Sequence, residues 1–332
     1  MRRRQQHTAH SRPKFELLNS HLVVFPPVLI GSVCSHFTSD VQLSHLSNTL
    51  STMGVLDVPG ATLHYETRGR GPLFLLISSG HGQADTYTRI ANELSRHFTV
   101  VTYDRRGFSR SHLTDAQDYS ARLQMDADDA HCLIEHLSPN KEPATVVGTS
   151  FGAIVALELL ARHPSSVRML IPHEPPALKL LPNGASHLPL LQNIYDIYRR
   201  AGPIPAIHKL ALTIVGGVEA EATALRLAME ARRGGYIGAN TTYWFERELT
   251  VYPAAEIDVE TLKTHRDRVL PAAGRESENS LCYVPNMWLA ERLEIRMLRM
   301  PGGHLGYAFH AEEFAEQLLG ALKKRDQFYQ GL

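Results

Sequence analysis

From Val55 onward, hydrophobic and polar positions follow two periods in turn. Residues 55–69 (VLDVPGATLHYETRG) alternate on either side of Pro59-Gly60 and predict a hairpin of two short strands. Residues 72–79 (PLFLLISS) are apolar without a break until the serines, as expected of a strand buried on both faces. In 86–98 (TYTRIANELSRHF), Ile90 and Leu94 lie four apart, which is helical spacing. The pattern then repeats. A strand is expected at 99–104 (TVVTYD), followed by a helix at 125–137 (MDADDAHCLIEHL) whose aspartates fall in the first turn, where the helix dipole favours them. A strand at 144–148 (ATVVG), a helix at 152–163 (GAIVALELLARH) and a strand at 167–173 (VRMLIPH) complete the series.

Beyond Pro176 the rhythm changes. Residues 177–252 are mostly helical in pattern, with LPLLQNIYDIYRRAG, AIHKLALTIVG, EAEATALRLAMEARRG and ANTTYWFEREL as the candidate helices. Strands return at 268–274 (RVLPAAG) and 293–300 (LEIRMLRM), around the helical stretch NMWLAERL, and 311–324 (AEEFAEQLLGALKK) ends the series as an amphipathic helix. Strands alternating with helices imply an α/β protein: a mostly parallel sheet with helices on both faces. The late helical block, 177–252, is expected to cap the carboxyl edge of that sheet, where open α/β sheets bind ligands. The core is then residues 53–176 and 253–332.

The first fifty residues differ. MRRRQQHTAHSRPKFELLNSH is basic, and the apolar run LVVFPPVLIGSVC is broken by Pro26 and Pro27 and too short to span a bilayer. Residues 1–52 are expected to form a disordered extension outside the fold, with a targeting segment as the alternative. Composition narrows the function classes. Lys+Arg and Asp+Glu number 34 each in the 332 residues, so no broad field recommends nucleic acid or an anionic membrane as partner. A small-molecule substrate is expected instead, and nothing in the sequence sets an oligomeric state. Cys34, Cys132 and Cys282 make neither a disulfide framework nor a zinc spacing, which suits a reducing, cytoplasmic location.

The candidate chemistry centres on Gly148-Thr149-Ser150-Phe151-Gly152, a G-x-S-x-G pattern between an expected strand and an expected helix. Glycines beside Ser150 let a sharp turn close and hold the hydroxyl out as a nucleophile. The helix that starts behind it directs free N–H groups at any oxyanion that forms. A serine nucleophile needs a base, and the base needs an orienting acid, in the chain order Ser, acid, His. His304, in the glycine-rich PGGHLGY after the last expected strand, is the candidate base. Glu276, shortly after the RVLPAAG strand, is the favoured acid, and Glu174, just after VRMLIPH, is the alternative. The oxyanion donors are expected to be the N–H of Phe151 and that of Gly80 in the ISSGHGQAD loop. His81 in the same loop is a candidate substrate contact, as are Tyr243, Trp244 and Phe245 of the helical block. Asp104 and the arginines of TYDRRGFSRS are expected to fix a loop beside the turn rather than to catalyse. His131 and His136, five apart, do not share a helix face, and neither H-E-x-x-H nor a Walker A pattern occurs, so no metal site is expected.

Together, LDVPGATLHYETRGRGP, SSGHG, VVTYDRRGFSRS, GTSFGA, LIPHEPP and PGGHLGYAFHAEEFA resemble the α/β-hydrolase family over nearly all of 55–324, and most closely its small microbial serine hydrolases. The resemblance implies a sheet of about eight strands, a helical cap, no cofactor, and hydrolysis of an ester, thioester or lactone of a small apolar molecule. Family members often carry His-Gly before the oxyanion loop, where this chain has Ser78-Ser79. They often place an Asp three residues after the strand-ending glycine, where this chain has Ser277, preceded by Glu276. The scaffold also supports other chemistry: lyase, carbon–carbon cleavage or cofactor-free peroxidase reactions, or small-molecule binding without turnover. A haloalkane dehalogenase would need an Asp where Ser150 stands.

Overall fold

Strand β3 (Leu73–Ile77) shows how the core is divided. Its side chains alternate between two buried faces. Phe74 and Leu76 enter one hydrophobic cluster, and Leu73, Leu75 and Ile77 enter the other. The strand therefore runs through the middle of a three-layer α/β sandwich. The computed structural model describes residues 51–214, 235–278 and 280–332. The expected extension at 1–52 and the expected helix EAEATALRLAMEARRG lie almost wholly outside those residues.

Among the described residues eight strands, numbered in chain order, run β1-β2-β4-β3-β6-β7-β8-β9, and a two-residue β5 (His112–Leu113) pairs with β2 as a ninth. β1 (Thr52–Val58) and β2 (Ala61–Arg68) form the expected hairpin around Pro59-Gly60. β2 also pairs antiparallel with β4 (Thr99–Tyr103). From β4 across β3, β6 (Ala144–Thr149), β7 (Val167–His173), β8 (Ala272–Gly274) and β9 (Leu298–Met300), every pairing is parallel. The last two strands have three residues each, much shorter than the apolar runs RVLPAAG and LEIRMLRM suggest.

Helix α1 (Thr88–Leu94) and the closing helix Ala311–Arg325 cover one face through Ile90, Leu94, Phe314 and Leu318. α2 (Arg122–Leu137) and α3 (Phe151–Arg162) cover the other through Leu133, Ile154 and Leu157. α2 begins earlier than the pattern of its aspartates suggested. Those acids lie inside the helix and serve as ion-pair partners rather than as charges on its first turn. Between β7 and β8 the chain inserts α4 (Leu188–Ala201), α5 (Pro203–Ile214) and the helix Tyr236–Arg247. Leu191, Ile194, Ile207 and Phe245 from this insertion join the α2/α3 side of the core, so it is packed down as part of the body. Among the described residues no helix is long and apolar enough to cross a membrane.

The connection from β6 into α3 leaves no room for side chains at its two glycines. A Cβ at Gly148 would meet the Gly152 carbonyl, and one at Gly152 would meet the carbonyl oxygens of Ile77 and Ser78. Because those oxygens are backbone at the end of β3, they cannot swing aside. Gly152→Ala is therefore expected to lower unfolding free energy by about 3 kcal/mol. Gly320→Ala, in the closing helix with open space around its α-carbon, is expected to be neutral or to stabilise by up to about 1 kcal/mol. Urea denaturation of both variants checks this, and equal midpoints would contradict the packing argument.

Candidate active site

Ser150 sits at the point where β6 becomes α3, with φ 53° and ψ −122°, a region that ordinary residues avoid. Its backbone N–H donates to the His173 carbonyl at the end of the adjacent β7, at 2.9 Å, which fastens the turn to the sheet. The hydroxyl is thereby presented at the carboxyl edge of the parallel strands. Phe151 is the first residue of α3, so its N–H has no partner inside the helix.

Two loops converge beside it. After β9, Pro301-Gly302-Gly303 carries His304, with Gly302 at φ 69°. After β7, Glu174 turns at φ 51° and is fully buried. The His304 Nδ1–H donates to Glu174 Oε2 at 2.6 Å, and the Gly274 N–H donates to Oε1 at 2.8 Å. That assignment puts the proton on Nδ1 and leaves Nε2 as the free acceptor. Burial by itself would raise the Glu174 carboxyl pKa. The hydrogen bond from His304, the neighbouring imidazoles and the nearby Ser277 hydroxyl outweigh it and hold the pKa at about 2. The carboxylate is thus charged across the working pH range.

The favoured acid, Glu276, is corrected by this geometry. Its side chain is exposed, and only its backbone reaches the histidine loop, through N–H to the Gly302 carbonyl at 3.1 Å. β8 ends at Gly274 and the chain turns so that Ser277, not Glu276, faces inward. The other glutamate of that loop, Glu278, pairs with Arg299 at 2.6 Å. The place under the imidazole is held by Glu174, the alternative candidate.

Ser150, His304, Phe151, Gly80 and His81 all line one cavity of about 80 Å³. Its remaining wall is apolar and comes largely from the insertion: Ile207, Leu210, Ala211, Ile214 and Trp244. The sequence pattern of α5 marked these positions as helical, but nothing in it separated cavity wall from core. Trp244 presents a buried indole Nε1–H with no acceptor among the described residues, and its ring lies 4.9 Å from that of His81. His81 Nε2 lies 3.2 Å from the Thr241 hydroxyl, so it is tied to the insertion. Tyr243 and Phe245 do not reach the cavity. Helical periodicity turns them away from Trp244: Tyr243 packs on Phe108, and Phe245 on Tyr198. A wider surface groove of about 580 Å³ near Arg89 and Glu316 is lined by no serine, threonine, cysteine or lysine.

The loop after β4 is fixed as the sequence suggested. Asp104 accepts from the Ala84 N–H at 2.7 Å and from Arg110 Nε at 2.6 Å. No sequence pattern singles out His173, the last residue of β7. Its imidazole is fully buried against Tyr307 and Phe314, and neither ring nitrogen meets a hydrogen-bond partner among the described residues. Among the described residues no group of three or more His, Cys, Asp or Glu could hold a metal ion.

Comparison with known proteins agrees with this architecture. The family model of the alpha/beta hydrolase fold matches residues 72–201. An uncharacterized hydrolase of Bacillus subtilis, YraK, is 36% identical over 276 residues, covering 82% of this chain and 96% of its own. The zearalenone hydrolase of Cladophialophora bantiana is 28% identical over 276 residues, covering 81% and 96%. Among solved structures, the enol-lactonase of Burkholderia xenovorans superposes with a TM-score of 0.62 at 18% identity, over 81% of this chain and all of that one. The chain belongs to the α/β-hydrolase fold family. It is a hydrolase of that fold, similar along most of its length to the Bacillus and Cladophialophora enzymes.

His173 makes stability depend on pH in a defined window. Burial first, then the proximity of His304, lower its pKa from 6.5 to about 4 against the opposing pull of Glu174. The unfolded chain takes up this proton near pH 6.5 and the native state only near 4, so stability falls as pH drops between those values. Glu174 acts elsewhere: its contribution is complete above pH 4.5 and is lost as pH falls through about 2. Between pH 7 and pH 5 the native protein is expected to lose about 2 kcal/mol that His173→Leu does not lose. Urea midpoints at the two pH values test this, and parallel losses in both proteins would refute it.

Proposed function

We propose that the protein is a serine hydrolase that cleaves an ester, thioester or lactone of a small, largely apolar molecule. The observation that carries this reading is the Glu174–His304 hydrogen bond, set into the wall of the cavity where Ser150 protrudes from a strained turn. In the proposed sequence, Ser150 Oγ attacks the carbonyl carbon while His304 Nε2 takes the hydroxyl proton, and Glu174 stabilises the imidazolium. The N–H groups of Phe151 and Gly80 receive the oxyanion. Collapse expels the alcohol or thiol, which leaves with the proton from His304. Water, deprotonated by the same imidazole, then releases the acid.

Residues 177–252 act as the cap in this reading. Ile207, Leu210 and Ile214 accommodate the apolar part of the substrate, and the free Trp244 Nε1–H donates to one of its oxygens. The likeness to a zearalenone hydrolase along nearly all of that protein makes zearalenone the first compound to try.

Ser150→Ala is expected to reduce kcat by at least about 10⁴-fold and to abolish labelling by a fluorophosphonate. Glu174→Gln is expected to lower kcat by about 10²–10⁴-fold, whereas Glu276→Gln stays within about twofold of the native protein. Steady-state kinetics on a panel of aryl esters, thioesters and lactones measures these effects. Full activity in Ser150→Ala would end the serine mechanism, and a large loss in Glu276→Gln would restore the other acid. On the same panel, Trp244→Ala is expected to reorder substrate preference while the protein stays folded. Lost stability with an unchanged order would make Trp244 core.

A further inference from the structure

We propose that Arg105 is a positioning residue for the oxyanion hole, acting through the Ser79–Gly80 peptide, and that it ties this peptide to the seating of the inserted helices. The inference rests on the serine-hydrolase reading above. Arg105 is wholly buried, and its guanidinium does more than neutralise carboxylates. Nη1 donates to Asp126 Oδ2 at 2.6 Å and to Glu248 Oε1 at 3.0 Å. Nη2 donates to Glu248 Oε2 at 2.7 Å and also to the Ser79 carbonyl at 3.0 Å. The same carbonyl accepts from the Gly82 N–H at 2.9 Å, and the Arg105 N–H closes the loop onto the Gly82 carbonyl at 2.7 Å.

In a planar trans peptide the C=O and N–H point in opposite directions. Pinning the Ser79 oxygen to the guanidinium therefore directs the Gly80 N–H the other way. Gly80 lines the cavity with Ser150 and Phe151. A cation on the carbonyl also polarises the peptide and strengthens its N–H as a donor. An oxyanion donor works by being aimed before charge develops, so fixing this plane acts on the transition state rather than on substrate binding.

The guanidinium is itself held by carboxylates from two places. Asp126 lies on α2 and is also held by the Tyr252 hydroxyl at 2.6 Å. Glu248 ends the helix that carries Trp244, and accepts from Arg122 Nη2 at 3.1 Å. Arg105 and Arg122 balance Asp126 and Glu248 in charge, which is how a cluster this deep can be tolerated. One nitrogen, Nη2, joins the insertion to the loop of the oxyanion donor. An insertion that is not seated removes the carboxylate that fixes Arg105.

The test compares a transition-state mimic with a ground-state ligand. An aryl trifluoromethyl ketone adds to a reactive serine and forms an oxyanion, whereas the corresponding secondary alcohol does not. Arg105→Met combined with Glu248→Gln keeps the cluster neutral, and circular dichroism reports its folding. In this variant kcat is expected to fall by about tenfold to a hundredfold with KM within about threefold of the native value. Ketone affinity should fall by the same factor as kcat, and alcohol affinity should hold. Should the double variant not fold, Arg105→Lys, whose shorter side chain and three N–H groups cannot reproduce the four bonds of the planar guanidinium, is read by the same ratio of ketone to alcohol affinity. An unchanged ratio in the folded variant overturns the role of Arg105. Failure of the native protein to bind the ketone through Ser150, shown by equal binding to Ser150→Ala, would instead overturn the hydrolase reading beneath it.

Discussion

The reversal of the chain at Ser150 is the constraint around which the rest is arranged. A residue with a side chain is held at φ 53° because the next turn of chain must enter α3 directly from β6. The strain persists because both sides are clamped. The Ser150 N–H is bonded to β7, and the glycines at 148 and 152 bring the start of α3 against the end of β3. The same close approach brings the end of β3 to the start of α3, and Ser150, Phe151 and Gly80 line one cavity. Neighbouring parallel strands end at this edge, and their loops deliver His304 and Glu174.

Charge is buried beside this turn to an unusual degree. Arg105, Arg106 and Arg122 are all deeply buried, with Asp126, Asp129 and Glu248 as partners. Such groups add little net stability, because desolvation opposes the attraction between them. Their effect here is directional. Fixed ion pairs set where the loop after β4 lies, where the insertion docks and how the Ser79 carbonyl points. An apolar substitute of equal volume could fill the space without specifying any of these orientations.

The position of the carboxylate bonded to His304 is the clearest departure from the family pattern. The carboxylate comes from the end of β7, and the buried place after β8, where relatives often carry Asp, is filled by Ser277. Both strand ends lie next to the histidine loop, because β7 and β8 are adjacent in the sheet and the Gly274 N–H reaches Glu174 directly. A carboxylate from either can therefore meet the same imidazole. Glu174 gains from its position: full burial, a backbone donor and the His304 N–H fix one orientation, whereas Glu276 is left in solvent.

The sequence by itself determined the fold class, the strand-to-helix context of Ser150 and the glycine loop of His304. These are local matters: the period of apolar residues, the conformations open to glycine, and the order of elements along the chain. It also marked Asp104 as a loop fixer and gave Glu174 as one of two acids. What it could not decide depended on residues far apart in the chain. Choosing Glu174 over Glu276 required knowing which loop residue faces inward at the end of a three-residue strand. Separating Trp244 from Tyr243 and Phe245 required the rotation of one helix against the body, since three consecutive aromatics must face different ways. Arg105 read as one charge among several in TYDRRGFSRS, because its partners Asp126 and Glu248 are 21 and 143 residues away. Local pattern fixes elements, but packing decides which side chains meet, and in this protein the tertiary structure made those choices.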